Sequence, residues 1–344
     1  MAKVDFFADI VETRTVLGVD EHLGPDLASE VFGSNCGENF FDPNFWRDYG
    51  FLEIFWTKRP HGRGYSGHHF TFQTHRLGFV PARVVSRTIW ARHGLTPFKH
   101  PLLFVDLKAE LDRRGVTLVP VGEPEFEYQT YVQPESGVEV MVLIAEDGFD
   151  VVGSVQKIAS PYWRHSAERH RCNAKYSRES VMRSLEELLP LSDDDRASRV
   201  SDDPDWWLSR CLMANTHAFR EQDLPDRREW VRFALWAWEH GVRTGTVDPA
   251  LAAIEKADVV HLLDDWRPER YDELRDLLPS AESLVADCLN ALPRSYTAEL
   301  TYRNKNLIDA AFNLRHAVSD ATLLRELDAR VAWRHRRARL LLPQ

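Results

Sequence analysis

The chain has 344 residues, of which 44% are hydrophobic and 28% charged, with 17 glycines and 18 prolines. This composition is typical of a folded globular protein and excludes collagen-like and disordered classes. The net charge of −10 argues against a general nucleic-acid binder, because such proteins need basic surfaces to displace counterions from phosphates.

The beginning of the chain and its apolar runs bear on localisation. The first residues, MAKVDFFADIVETR, carry acids where a signal peptide needs a basic segment followed by an apolar one. The longest apolar runs, 138–145 and 337–343, fall far below the ~18 residues of a membrane span. We therefore expect a cytoplasmic protein with no membrane partner. The four cysteines form no CxxC or Cys/His cluster, so we predict neither a disulfide framework nor a zinc site.

The first half of the chain alternates short helical and strand patterns. The patterns predict helices at 5–17 and 104–114, two strands at 49–57 and 69–75, and a three-stranded meander at 125–131, 138–144 and 151–158. The turn sequences Pro134-Glu-Ser-Gly137 and Glu146-Asp-Gly148 separate the strands of the meander. We predict a mainly antiparallel sheet with flanking helices for residues 1–160.

The second half of the chain is dominated by helical periodicity. Helices are predicted at 178–189, 205–220, 227–243, 249–264, 271–291, 296–318 and 321–341. The helix around Trp230 and Trp238 is apolar most of the way round, which indicates a central position in a bundle. A polar acidic loop is predicted at 192–204. The fold class is therefore α+β, with an all-α helical-bundle domain at 161–344 after the first domain.

Acidic residues form the candidate binding surfaces. Glu123, Glu125 and Glu127 alternate at the start of a strand, so their side chains are expected on one face, with Asp147 in a neighbouring turn. Asp194 and Asp195 lie in the acidic loop of the second half. Because no histidine or metal-ligand spacing accompanies these acids, we predict that they contact a basic protein partner rather than perform catalysis.

Histidines are frequent between residues 61 and 75, which makes this segment a candidate for a metal site. On a strand at 69–75, His69 and His75 lie about 20 Å apart, too far to share one ion. The adjacent His68 and His69 are expected on opposite faces of the strand. The glycine-rich loop before the strand lacks phosphate-binding spacing. We predict no metal, no cofactor and no catalytic residue in this region.

The last helix contains a faint nuclease signal. Arg330 and His335 have the spacing found in HEPN-type helical ribonucleases, in which an arginine and a histidine reach one scissile phosphate. Such pairs also arise by chance in an arginine-rich helix, where they form a solvated face.

Motifs in the first half resemble those of a known class of small proteins. They are Leu17-Gly18, Phe32-Gly33, the run FWRDYGFLEIF at 45–55 and the run HHFTFQTHRL at 68–77, followed by the segments 131–137 and 153–158, which resemble sheet-closing strands. These residues are similar to immunity proteins of actinobacterial polymorphic-toxin systems. The resemblance covers residues 1–160, and the helical half has no counterpart in it.

The resemblance implies a protein that binds and neutralises a cognate toxin without catalysis and without a cofactor. An acidic inhibitor suits a basic nuclease toxin, because carboxylates can occupy the positions of substrate phosphates. No direct contact with nucleic acid is expected. Two alternatives stay open: a helical ribonuclease that uses Arg330 and His335, and an adaptor whose helical bundle binds a peptide through tryptophan-rich grooves.

Overall fold

The structure is a computed structural model. It describes residues 3–59, 64–78, 86–87, 89–91, 93–94, 100–145, 151–161, 172–173, 175–201, 203–220, 224, 226–296 and 301–340. The chain divides into two compact units, which we call unit 1 (Met1–Ala167 with Arg334–Gln344) and unit 2 (Glu168–Trp333). The predicted division into domains at 1–160 and 161–344 concerns independent folding, and it stays a prediction.

Unit 1 is built on an antiparallel sheet, and the predicted α+β fold class is confirmed. The described residues form eight strands in the order β1-β2-β3-β4-β8-β7-β6-β5, with every neighbouring pair antiparallel. The strands are β1 Gly37–Phe41, β2 Asn44–Asp48, β3 Leu52–Lys58, β4 Tyr65–Phe72, β5 Val119–Glu125, β6 Tyr128–Val132, β7 Glu139–Leu143 and β8 Val155–Ala159. β1 and β5 are therefore the two edges of the sheet.

Short helices flank the sheet of unit 1. They are α1 Lys3–Thr13, α2 Gly24–Phe32, α3 Phe104–Arg113 and the 3₁₀ helices Glu21–Leu23 and Thr74–Gly78. α1 buries Phe7 and Ile10 in an aromatic core, where Phe7 meets Phe72 edge to face at 5.1 Å. The predicted helix at 5–17 ends at Thr13, because Arg14 adopts a positive φ of 51° that interrupts the helix.

In its described residues, unit 2 is built from helices. They are α4 Arg178–Leu188, α5 Asp193–Arg199, α6 Pro204–Arg220, α7 Arg227–Thr244, α8 Pro249–Trp266, α9 Pro268–Leu274, α10 Ala281–Asn290, α11 Tyr302–Asn313, the 3₁₀ helix Arg315–Ala317 and α12 Ala321–Leu340, whose end from Arg334 belongs to unit 1. The helix predicted to be apolar most of the way round is α7, and it buries Trp230, Phe233 and Trp238. Gly241 of α7 accommodates a close contact, since a Cβ there would lie 2.1 Å from Trp207 Nε1.

Three predicted segments of unit 2 differ from the structure. The helix predicted at 271–291 is two helices, because Pro279 lacks an amide hydrogen and Ser280 caps α10 by accepting a hydrogen bond from the Ser283 amide. The helix predicted at 296–318 begins at Tyr302 after the Thr301 cap and ends at Asn313. The acidic loop predicted at 192–204 contains α5, which Ser192 caps.

Among the described residues, we find no helix whose length and hydropathy suit a membrane span.

Candidate functional site

One end of the sheet in unit 1 brings predicted acids next to exposed apolar side chains. β5 and β6 are joined by a tight turn at Phe126 and Glu127, because Glu125 pairs with Tyr128 across the hairpin. Phe126 has a φ of 52° and is 85% exposed. The neighbouring strand β7 ends beside this turn, where the Ile144 amide donates a 2.8 Å hydrogen bond to the Glu127 carbonyl. Ile144 is also exposed.

The connection into β8 adds to the same end of the sheet. Val151 and Val152 are exposed, and the next residue, Gly153, donates a 2.7 Å hydrogen bond from its amide to the Leu143 carbonyl. We call this region the hairpin-end surface and define it as Glu123, Glu125, Phe126, Glu127, Ile144, Val151 and Val152. It combines carboxylates with large apolar groups that water solvates poorly.

The predicted acids of the first half are placed as follows. Glu123 and Glu125 lie on β5 and are exposed. Glu127 is half-buried and lies in the turn, so the predicted alternation of all three along one strand is wrong. The strand ends at Glu125, and its register against β6 shifts between Val121 and Glu125. Asp147 lies outside the described residues.

The predicted acids of the second half lie in the first turn of α5. Asp194 and Asp195 are both exposed. Asp195 also has a local role, because its carboxylate accepts a 2.6 Å hydrogen bond from the hydroxyl of the capping residue Ser192. The helix dipole stabilises acids in a first helical turn, so the presence of these two acids does not require a binding partner.

One member of the alternative nuclease pair, Arg330, has contacts within the fold. Arg330 is buried, donates a 2.8 Å hydrogen bond to the Pro293 carbonyl and stacks 4.4 Å from the Tyr296 ring. His335 follows five residues later on α12. These contacts give Arg330 a structural role, and the nuclease alternative stays a prediction.

The tryptophans expected to line adaptor grooves are mostly core residues. Trp207, Trp230, Trp238 and Trp333 of unit 2 are buried. An open groove of about 440 Å³ does exist beside α7, α8 and α10. Its lining includes Glu239, Arg243, Lys256 and Asp287 together with small apolar residues, and no tryptophan. The lining carries both positive and negative side chains, so the groove favours neither a cationic nor an anionic ligand.

A buried charge network in unit 1 was not anticipated from the sequence. Arg14 pairs with Glu21, and His22 Nε2 lies 3.1 Å from Glu21 Oε1. Beside them, Arg334 donates a 2.8 Å hydrogen bond to Asp20, with both side chains almost fully buried. We call these five residues the buried charge network. Burial raises the pKa of Glu21, but the charges of Arg14 and His22 outweigh this effect and hold that pKa well below its usual value.

Two histidines lie close to this network. A β-bulge in β4 pairs Phe55 with His69 and Trp56 with Gly67, so that His68 has no opposite residue. The bulge brings the Nδ1 atoms of His68 and His69 within 2.7 Å, which corrects the prediction that they lie on opposite faces. Burial, with a smaller contribution from His68, lowers the pKa of His69 to about 3. Both rings are therefore neutral at pH 7, and one donates a hydrogen bond to the other.

One group of described residues in unit 2 has the geometry of metal ligands. The ligand atoms of Asp264, Asp265 and His316 all lie within 4.8 Å of one another. The sequence does not predict this group. His316 is separated from Asp264 by 52 positions, and no spacing motif connects residues so distant in the chain.

Comparison of the chain with protein families, with curated proteins and with solved structures finds no match.

Proposed function

We propose that the chain is a non-catalytic inhibitor that binds a basic protein toxin through the hairpin-end surface and thereby neutralises it. The observation that carries the proposal is the exposed Phe126 between carboxylates at one edge of the sheet. An exposed aromatic ring on a tight turn gains free energy when a partner covers it. The resemblance of residues 1–160 to immunity proteins supports the same role.

Charge favours a basic partner. The chain has a net charge of −10, and Glu123 and Glu125 are exposed beside Phe126. Carboxylates around an apolar contact accelerate encounter with a basic surface and reject an acidic one. A nuclease toxin has such a surface, because it binds phosphates.

The opposite edge of the sheet is a weaker candidate. β1 is exposed along its length and carries Phe40 and Phe41. Its acid Glu38, however, is paired with Arg47 at 2.9 Å, which neutralises its charge. Phe40 in addition stacks on Phe45 at 4.7 Å. The β1 edge therefore provides apolar area with little net charge, and it supplies a matched control for the hairpin-end surface.

The proposal is tested with the toxin that copurifies with the tagged full-length chain. Its affinity is measured by surface plasmon resonance at two salt concentrations, together with the toxin's own activity. We expect the variant Glu123→Lys, Glu125→Lys, Phe126→Ala to bind at least tenfold more weakly and to lose its salt dependence. We expect the control Phe41→Ala to bind like the wild type.

Three outcomes would count against the proposal: equal affinity of the triple variant and the wild type, an acidic partner, or a bound partner whose activity is not inhibited. The variant Asp194→Lys, Asp195→Lys tests the second predicted acidic region separately. We expect it to change affinity less than twofold, because these acids already act at the start of α5.

A further inference from the structure

We propose that Asp264, Asp265 and His316 in unit 2 form a binding site for a divalent first-row transition-metal cation, for which Zn²⁺ is the appropriate probe. The site is independent of the toxin-binding proposal, because it uses other residues in the other unit. It rests on the side-chain geometry at the end of α8 and on the electrostatics of that helix end.

The geometry joins two segments that are distant in sequence. Asp264 and Asp265 lie in the last turn of α8, and His316 lies in the 3₁₀ helix between α11 and α12. His316 Nε2 is 2.5 Å from an oxygen of Asp264. All three ligand atoms lie within 4.8 Å of one another. Two ligands of a tetrahedral Zn²⁺ lie about 3.4 Å apart, given Zn–N and Zn–O bonds of about 2.1 Å, so small side-chain rotations suffice to close the site.

The two carboxylates lie where the electrostatic potential favours a bound cation. The C-terminal end of a helix carries a partial negative charge from its last carbonyl groups, so acids there are destabilising. Asp264 and Asp265 nevertheless occupy the last turn of α8, and the side chain of Asp265 is fully buried. Arg315, which precedes His316 in the chain, donates two hydrogen bonds of 2.9 and 3.0 Å to Asp328. A bound divalent cation would offset both the carboxylate charges and the helix dipole.

A second histidine supports the buried ligand. His261 lies one turn before Asp265 on α8, is itself buried, and places its Nδ1 3.3 Å from an oxygen of Asp265. Such a contact orients a carboxylate ligand from outside the coordination sphere. Because His316 lies at the surface, its side chain can adjust its rotamer to an ion more readily than the buried Asp265.

The ligand set indicates the class of ion. One imidazole nitrogen and two carboxylate oxygens suit Zn²⁺, Mn²⁺ or Fe²⁺ better than Ca²⁺ or Mg²⁺, which prefer oxygen ligands alone. Three protein ligands leave a fourth position for water. Zn²⁺ is expected to bind more tightly than Mn²⁺, following the general order of divalent affinities.

The experiment uses the full-length chain after treatment with a chelator. Isothermal titration with Zn²⁺ measures affinity and stoichiometry, and thermal unfolding is followed with and without Zn²⁺. We expect one equivalent to bind to this site and to raise the unfolding temperature, because the ion joins the end of α8 to the segment before α12. Co²⁺ in place of Zn²⁺ reports the coordination geometry through its visible spectrum.

Two variants decide whether the ion binds at this group. His316→Ala and Asp264→Asn alter surface or half-buried side chains, and each should weaken Zn²⁺ at least tenfold and abolish the rise in unfolding temperature. The matched control His100→Ala removes another exposed histidine and should bind like the wild type. Binding that both site variants leave unchanged, or a wild-type chain that binds no Zn²⁺ at one equivalent, would overturn the proposal.

Discussion

Unit 1 contains carboxylates in two contrasting environments. In the buried charge network, Glu21 is fully buried and pairs with Arg14 and His22. On the hairpin-end surface, Glu123 and Glu125 are exposed on an edge strand. The carboxylate therefore stabilises the fold in the buried charge network, whereas on the hairpin-end surface it is available to a partner. The comparison teaches that burial, more than residue type, separates a structural acid from a binding acid.

Removing the buried acid tests the structural side of this comparison and should have the largest effect. We expect Glu21→Gln to lower the free energy of unfolding by about 3–5 kcal/mol, because Arg14 then keeps its charge in a buried site without a carboxylate. Urea unfolding followed by circular dichroism measures the loss. We expect the matched change Glu125→Gln to stay within about 0.5 kcal/mol of the wild type. Equal losses of unfolding free energy for the two variants would contradict the distinction between a structural acid and a binding acid.

The packing of β4 against the network gives the next largest effect. A Cβ at Gly67 would lie 2.5 Å from the Glu21 carbonyl oxygen. We expect Gly67→Ala to cost about 1–3 kcal/mol in unfolding free energy, because backbone must move to accommodate the methyl group. The control is Gly37→Ala on β1, where the nearest atoms are 3.8 Å away. A control that loses as much stability as Gly67→Ala would show that this close approach is unimportant.

The pH dependence of stability tests whether the histidines beside the network are neutral. The pKa of His69 is about 3 in the folded chain and 6.5 as the reference value, so below pH 6.5 the unfolded state takes up a proton that the folded state does not. His69 therefore contributes a stability loss as the pH falls, with a slope of about 0.7 kcal/mol per pH unit at pH 6.5 that approaches about 1.4 kcal/mol per pH unit near pH 5. Unfolding at several pH values should give a shallower slope for His69→Gln. An identical slope for the variant and the wild type would contradict this assignment.

The smallest expected effect on stability belongs to the binding side of the comparison. Phe126 is 85% exposed, so Phe126→Ala removes little buried surface. We expect the free energy of unfolding to change by less than about 0.5 kcal/mol, while affinity for the toxin falls at least tenfold. Chemical denaturation and surface plasmon resonance on the same preparation measure both quantities. A large loss of stability would assign Phe126 to the fold rather than to an interface.

Sequence patterns predicted the elements whose signals are local. The helix at Phe104–Arg113 was identified from the spacing of Phe104, Leu107 and Leu111. The strands β6, β7 and β8 were identified from β-branched and aromatic runs. The patterns do not predict β1, β2 or β5 as strands. β1 is short and exposed and contains no β-branched residue, and β5 contains Pro120, Gly122 and Pro124, which are tolerated because it is an edge strand.

The candidate sites were less predictable, because they depend on residues brought together by folding. The acids of β5 were identified from the sequence, but the role of Phe126 depends on a turn that places it in solvent. The sequence does not predict the pairing of Arg14 with Glu21, since charged residues usually remain solvated. The bulge at His68 was missed for a related reason, since alternation along a strand assumes an unbroken register.

The sequence by itself determined the α+β class, the acidic charge and the positions of most helices, because these follow from composition and from periodicity within a few turns of chain. Only the tertiary structure decided which charges are buried and which are exposed. It also brought His316 to the end of α8, 52 positions after Asp264 in the chain. Desolvation and ligand geometry depend on neighbours from distant segments, and those neighbours exist only once the chain has folded.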